Sequence, residues 1–88
     1  MSAWSLKTTE RFDKELKALD RPVQQRIKKY LDEVIASDDP RSRGKALTGP
    51  LAGLWRYRVG DYRVEVEIIE TEITIVAVKV GHRSEIYD

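Results

Sequence analysis

Residues 55–63 read Trp-Arg-Tyr-Arg-Val-Gly-Asp-Tyr-Arg, apolar and basic side chains alternating on both sides of a Gly-Asp pair. Alternation of period two marks a half-buried strand, and glycine at the first position of a two-residue turn suits a type II′ connection. The stretch therefore predicts a β-hairpin turning at Gly60 and Asp61, with Val59 opposite Tyr62, Arg58 opposite Arg63, Tyr57 opposite Val64, Arg56 opposite Glu65 and Trp55 opposite Val66. Trp55, Tyr57, Val59, Tyr62, Val64 and Val66 then share one face able to bury apolar area, while Arg56, Arg58 and Arg63 crowd the other with Glu65. Exposed sheet faces carry arginine simply to stay hydrated, but two guanidiniums directly opposite one another repel unless an anion or Glu65 stands between them.

The 88-residue chain is read as one domain, 1–88, with a single core. It has no cysteine and one histidine, so no disulfide framework and no thiolate or all-histidine metal centre is expected. The start shows no signal-peptide pattern, and no run approaches the ~20 apolar residues of a membrane span. A soluble cytoplasmic protein is the expectation. The net charge of +1 conceals a division: residues 1–40 are neutral, 41–63 carry +5 and 64–88 carry −4. A basic segment inside a nearly neutral chain points to a local anion site more than to general polyanion affinity.

Along the chain, Trp4 and Leu6 alternate with polar neighbours and predict a strand over 3–7. Thr8 or Thr9 caps a helix over 9–19 in which Phe12, Leu16 and Leu19 recur at helical spacing. Asp20-Arg21-Pro22 is a break and a new helix start, and Val23, Ile27, Leu31, Val34 and Ile35 trace a second apolar stripe. Residues 38–45 form a polar loop, and 46–54 hold Gly49, Pro50 and Gly53 with Leu47 and Leu51 as anchors. After the hairpin, Glu70-Thr71 makes a turn and 73–80 return as a strand, with Ile73, Ile75 and Ala77 opposite Ile68, Val66 and Val64. Thr74, Val76 and Val78 leave that strand apolar on its second face too, so it should lie inside the sheet or be covered on both faces. The expected fold is α+β, of order β-α-α-β-β-β: a four-stranded antiparallel sheet in order 1-2-3-4 with a helix pair on one face and the arginine face open.

Arginine offers a planar fork of donors that matches phosphate oxygens, so Arg56, Arg58 and Arg63 form a candidate phosphodiester clamp, extended by Arg41, Arg43 and Lys45 from the preceding loop. Glu65 is either the partner of Arg56 or a general base. His82, Arg83 and Tyr87 follow the last strand and can reach the same face as proton carriers or charge stabilisers, although a lone histidine is more often capped or solvated and a tyrosine next to the terminus more often a packing residue. No Asp/Glu/His cluster has metal-ligand spacing, which disfavours metal-dependent hydrolysis.

Residues 45–64, Lys-Ala-Leu-Thr-Gly-Pro-Leu-Ala-Gly-Leu-Trp-Arg-Tyr-Arg-Val-Gly-Asp-Tyr-Arg-Val, followed by Val-Gly-His-Arg-Ser-Glu-Ile-Tyr at 80–87, resemble the RelE branch of the RelE/ParE toxin superfamily. The resemblance implies a RelE-like fold and the toxin of a type II toxin–antitoxin pair, which enters the A site of the 70S ribosome, cuts mRNA without a metal or other cofactor, and is neutralised by a small cognate antitoxin. It matches Arg56 and Arg58 to the two basic strand positions, Arg63 to the arginine after the turn, Tyr87 to the C-terminal tyrosine, and Arg83, or else His82, to the basic residue before it. Glu65 and Glu67 depart from the pattern, standing where relatives carry more apolar residues. The implied reaction is attack of the ribose 2′-OH on the adjacent phosphate, with Tyr87, His82 or Glu65 taking the proton. ParE-type relatives share the architecture yet inhibit DNA gyrase, and a non-catalytic binding module would need the same arginines and no proton carrier.

Overall fold

The computed structural model of the chain describes residues 4–86. The first residue of the predicted N-terminal strand, Ala3, and Tyr87 lie outside these. The elements are β1 (Ser5–Thr8), α1 (Glu10–Lys17), α2 (Arg21–Ala36), β2 (Lys45–Ala46), β3 (Trp55–Val59), β4 (Tyr62–Ile69) and β5 (Thr74–His82), with single 3-10 turns at Gly49–Leu51 and Glu70–Glu72. Thr9 caps α1, its hydroxyl accepting from the Phe12 amide at 3.1 Å, and Pro22 occupies the first turn of α2, where its missing N–H costs nothing.

The class is α+β as expected, but the sheet has five strands, not four, and is mixed. Its order is β1-β5-β4-β3-β2, so the predicted order 1-2-3-4 is corrected: β1 lies beside β5, parallel to it, with Ser5 opposite Thr74 and Thr8 opposite Ala77. The physical reason is burial. β5 carries apolar side chains on both faces and needs a neighbour on each edge, whereas β1, with Ser5, Lys7 and Thr8 exposed, tolerates an edge position. The long connection of residues 37–54 frees β3 from lying next to β1, and its residues 45–46 supply the extra strand, pairing with Arg56 and Trp55.

The hairpin register is the predicted one at all five pairs from Trp55–Val66 to Val59–Tyr62. The second turn differs. It is the 3-10 turn Glu70–Glu72 closed by Ile73 in the left-handed region (φ 50°), so Ile75 faces Ile68, Ala77 faces Val66 and Val80 faces Val64, with a bulge between Glu65 and Val66 taking up the shift. Beyond Thr8, β1 no longer lines β5, and α1 satisfies the exposed edge: the Thr9 hydroxyl donates to the Val78 carbonyl at 3.2 Å and the Val80 amide donates to Glu15 at 3.0 Å.

The core lies between the helices and one sheet face. Phe12, Leu16, Ile27, Leu31 and Val34 meet Tyr57, Val59, Val64, Val66, Ile75, Ala77 and Val80. Tyr57 is fully buried, and its hydroxyl donates to the Pro40 carbonyl, tying the polar loop to the sheet. Burial raises the Tyr57 pKa, so the phenol stays protonated and remains a donor.

Gly44 holds the loop against β3. At φ +76° its absent side chain leaves room for the Arg56 carbonyl, which a Cβ would approach to 2.3 Å, and for the Trp55 indole at 2.7 Å. Gly44→Ala is expected to cost at least ~2 kcal/mol, a fall of roughly 8–16 °C in Tm for a domain of this size, from left-handed strain plus the clash. Gly49→Ala, at φ +65° with nothing within 4 Å, carries the strain alone and should cost about half as much. Thermal denaturation of both variants checks this, equal losses contradicting it.

Candidate functional site

With the helices on the Tyr57 face, strand alternation leaves Arg56, Arg58, Arg63 and Glu65 on the opposite face, as one basic pair, Arg58 opposite Arg63, beside one pair of opposite charge, Arg56 opposite Glu65. Lys45 lies opposite Arg56 and therefore on the same side. Gly44, Lys45, Arg56, Arg58 and Arg63 line one open concavity of about 420 Å³.

The three hairpin arginines are not equivalent. Arg56 and Glu65 are 5 % and 2 % exposed, and Arg56 Nη2 donates to Glu65 Oε2 at 2.7 Å, so this pair is a buried ion pair forming the floor. Glu65 thus takes the role of partner to Arg56. Arg58 is exposed on the rim. Arg63 is half-buried, its Nη1 donating to the carbonyls of Gly60 and Tyr62, each at 3.1 Å. Its pKa is lowered, first by partial desolvation and then by the positive charges of Arg58, Arg83 and Arg56, with Asp61 opposing them. Arg63 remains fully charged at neutral pH, and, beyond its partial desolvation, the guanidiniums of Arg58, Arg83 and Arg56 each add positive potential there.

Arg83 arrives by the backbone: its amide donates to the Asp61 carbonyl at 2.8 Å, and its Nε stands 3.8 Å from the Asp61 carboxylate. The chain then turns back, the Glu85 amide donating to the His82 carbonyl, and Ile86 packs across Gly81, which lies opposite Arg63. A Cβ at position 81 would stand 3.2 Å from Ile86 Cδ1, and Ile86 is only 6 % exposed. The segment leading to Tyr87 therefore lies on the arginine face.

Three expected site residues are not brought there. β5 runs on through His82, and alternation puts that residue with Tyr62 on the helix side, the two rings meeting edge-on at 5.4 Å while Nδ1 accepts from the Ser84 amide. Arg41 lies over the Trp55 ring and pairs with Glu70. Arg43 lies over Tyr30 and pairs with Glu33 at 3.1 Å, which raises its pKa. Both loop arginines belong to the helix side because Trp55 and Tyr30, flat apolar rings with nearby carboxylates, hold them there. Nothing in residue type alone marks Gly44, Gly81 and Ile86 as site residues; the one signal for the last two is a glycine ending an apolar strand and a lone isoleucine in a polar tail.

Among the described residues no group of three or more His, Cys, Asp or Glu is placed to hold a metal ion, and no helix is long and apolar enough to cross a membrane. What the concavity offers is fixed cationic donors around a space open to solvent, an arrangement suited to an oxyanion.

Known structures share this arrangement of helices and sheet. The toxin–antitoxin complex RelBE2 from Mycobacterium tuberculosis matches with a TM-score of 0.77 and 26% identity, over 96% of this chain and 95% of that one. The isolated Escherichia coli RelE toxin matches at 0.74 and 26%, over 91% and 84%. The archaeal RelE–RelB complex from Pyrococcus horikoshii matches at 0.73 and 26%, over 98% and 100%. No curated protein matches the chain significantly. The fold is that of the RelE/ParE toxin superfamily. Residues 6–87 match the family described as ParE toxin of type II toxin–antitoxin system, and the chain belongs to that family. It is the toxin of a type II toxin–antitoxin system.

The Arg56–Glu65 pair yields a stability prediction. Glu65→Ala leaves a buried guanidinium without its carboxylate and should cost about 3–5 kcal/mol, whereas Arg56→Met with Glu65→Leu should restore most of that loss. Urea denaturation of the single and double variants measures it; a single variant as stable as the parent would contradict a buried pair.

Proposed function

We propose that this toxin is an endoribonuclease that cuts mRNA in the A site of the ribosome and so inhibits translation in the cytoplasm. The observation carrying the proposal is the convergence of Lys45, Arg58 and Arg63 around one concavity on the helix-free sheet face, with Arg83 adding to the field at Arg63. In the reaction the ribose 2′-oxygen bonds to phosphorus as the P–O5′ bond breaks, giving a 2′,3′-cyclic phosphate and a 5′-OH. One proton leaves the 2′-OH and one is delivered to the departing 5′-oxygen.

Lys45, Arg58 and Arg63 grip the non-bridging oxygens and offset charge on the pentavalent transition state, each well-placed donor being worth about 10²–10³ in rate. Arg83 stabilises the departing oxygen. Arg56, held by Glu65, sets the floor and its potential. Tyr87 is the proton carrier in this scheme, because Glu65 is engaged by Arg56 and His82 faces away. An unperturbed tyrosine titrates near 10, so serving as a base requires a positive field that lowers its pKa. The ribosome supplies the substrate orientation that so open a site lacks. A cognate antitoxin is the natural partner, as the RelE–RelB complexes suggest.

The family match itself favours a second reading, a gyrase-inhibiting toxin with no need of a proton carrier. Arg63→Ala separates them in one experiment. Under the nuclease reading, induction of the parent protein yields mRNA 5′ ends at defined codon positions, and Arg63→Ala lowers cutting by 10²-fold or more with growth restored. Intact mRNA with DNA-damage signalling would establish the gyrase reading instead, and neither effect would leave a binding module.

A further inference from the structure

The cations around the arginine concavity continue past its rim. β2 pairs only with Trp55 and Arg56, so among the described residues no strand lies along the outer edge of Arg58 and Val59. There a second concavity of about 340 Å³ opens between the hairpin tip and α2, lined by Arg26, Lys29, Tyr30, Glu33, Arg58 and Gly60 among others. Arg26 and Lys29 stand three residues apart on one exposed face of α2, and the Arg26 guanidinium reaches over the turn, its Nη1 3.4 Å from where a Cβ of Gly60 would be.

The charges here are unbalanced. Glu33, the one acid lining the second concavity, is engaged by Arg43 at 3.1 Å. Asp61, the acid of the turn, faces Arg83. Among the described residues Arg26, Lys29 and Arg58 have no carboxylate within ion-pairing distance, in contrast to Arg11, Arg41, Arg43, Arg56 and Arg83. Arg58 lines both concavities, so the two form one cationic track bending round the edge of β3.

We propose that Arg26 and Lys29, continuing from Arg58, form a second phosphate-binding subsite for the single-stranded RNA whose scissile linkage lies in the first concavity. The proposal rests on the nuclease reading of that first site. A strand placing one phosphate among Lys45, Arg58 and Arg63 carries a neighbouring phosphate past Arg58 towards Arg26 and Lys29. These two are positioning residues: they contact the substrate backbone away from the bond that breaks, and a phosphate backbone is read the same way whatever its bases.

The test uses a 12-nucleotide 2′-deoxy strand, which lacks the attacking hydroxyl and cannot be cut, with binding followed by fluorescence anisotropy over a salt series. Each phosphate neutralised on a single strand contributes about 0.7 to the slope of log K against log salt. R26A/K29A should therefore reduce the slope by about 1.4, while K14A/K17A, an exposed pair on α1, should leave it unchanged. Four results would overturn the subsite: a parental slope in R26A/K29A, an equal loss in K14A/K17A, no binding of the strand by the parent protein, or the same loss against poly-glutamate of equal charge, which would assign these cations to an acidic protein segment. None of these bears on whether mRNA is cut at the first site, and intact mRNA alongside the expected slope change would remove the nuclease reading while leaving strand binding.

Discussion

The arginine face exists because Arg58 and Arg63 are forced to face each other across β3 and β4. Like charges directly opposite on a sheet cost on the order of 0.2–1 kcal/mol. The same register buries Tyr57, Val59, Val64 and Val66 on the other side, and full burial of one such side chain is worth roughly 1.5–3 kcal/mol. The comparison decides the outcome: slipping by one residue would relieve a small repulsion and expose the whole inner face of the hairpin. The core thus holds in place a concentration of positive charge that the arginines would not form by themselves.

How that charge is left available depends on what neutralises its neighbours. Glu65 takes Arg56 out of play as a mobile ligand and turns it into a fixed part of the floor. The loop arginines are drawn to Trp55, Tyr30, Glu33 and Glu70 on the helix side. Gly44 lets the loop hug β3 closely enough for Lys45 to stand over Arg56, and Gly81 gives the C-terminal segment room to cross beside Arg63. The cations lining the concavity are therefore a selected subset of a basic segment.

Much of this was legible in the residues because local chemistry determined it. The Gly60-Asp61 turn fixed the pairing of every hairpin residue, and apolar spacing located both helices and the Thr9 cap. What was not legible depended on non-local competition. The two apolar faces of β5 marked it as an interior strand, yet its second neighbour turned out to be β1, because sequence adjacency says little once an 18-residue connection intervenes. His82 went to the helix side because β5 ran two residues further than expected and alternation continued with it. Arg41 and Arg43 followed aromatic partners that no sequence spacing reveals, and Arg26 and Lys29, unremarkable on a solvated helix face, gained meaning only from their position over the hairpin tip.

The central claim is that the helix-free sheet face is an anion site built from Lys45, Arg58 and Arg63. The most direct measurement is an NMR titration of the protein, labelled to observe arginine Nε–H groups, with a 2′-deoxy dinucleotide. The account predicts saturable shifts at Arg58 and Arg63, with Arg41 and Arg43 unmoved. Shifts confined to Arg41 and Arg43, or none at Arg58 and Arg63 at saturating ligand, would contradict it.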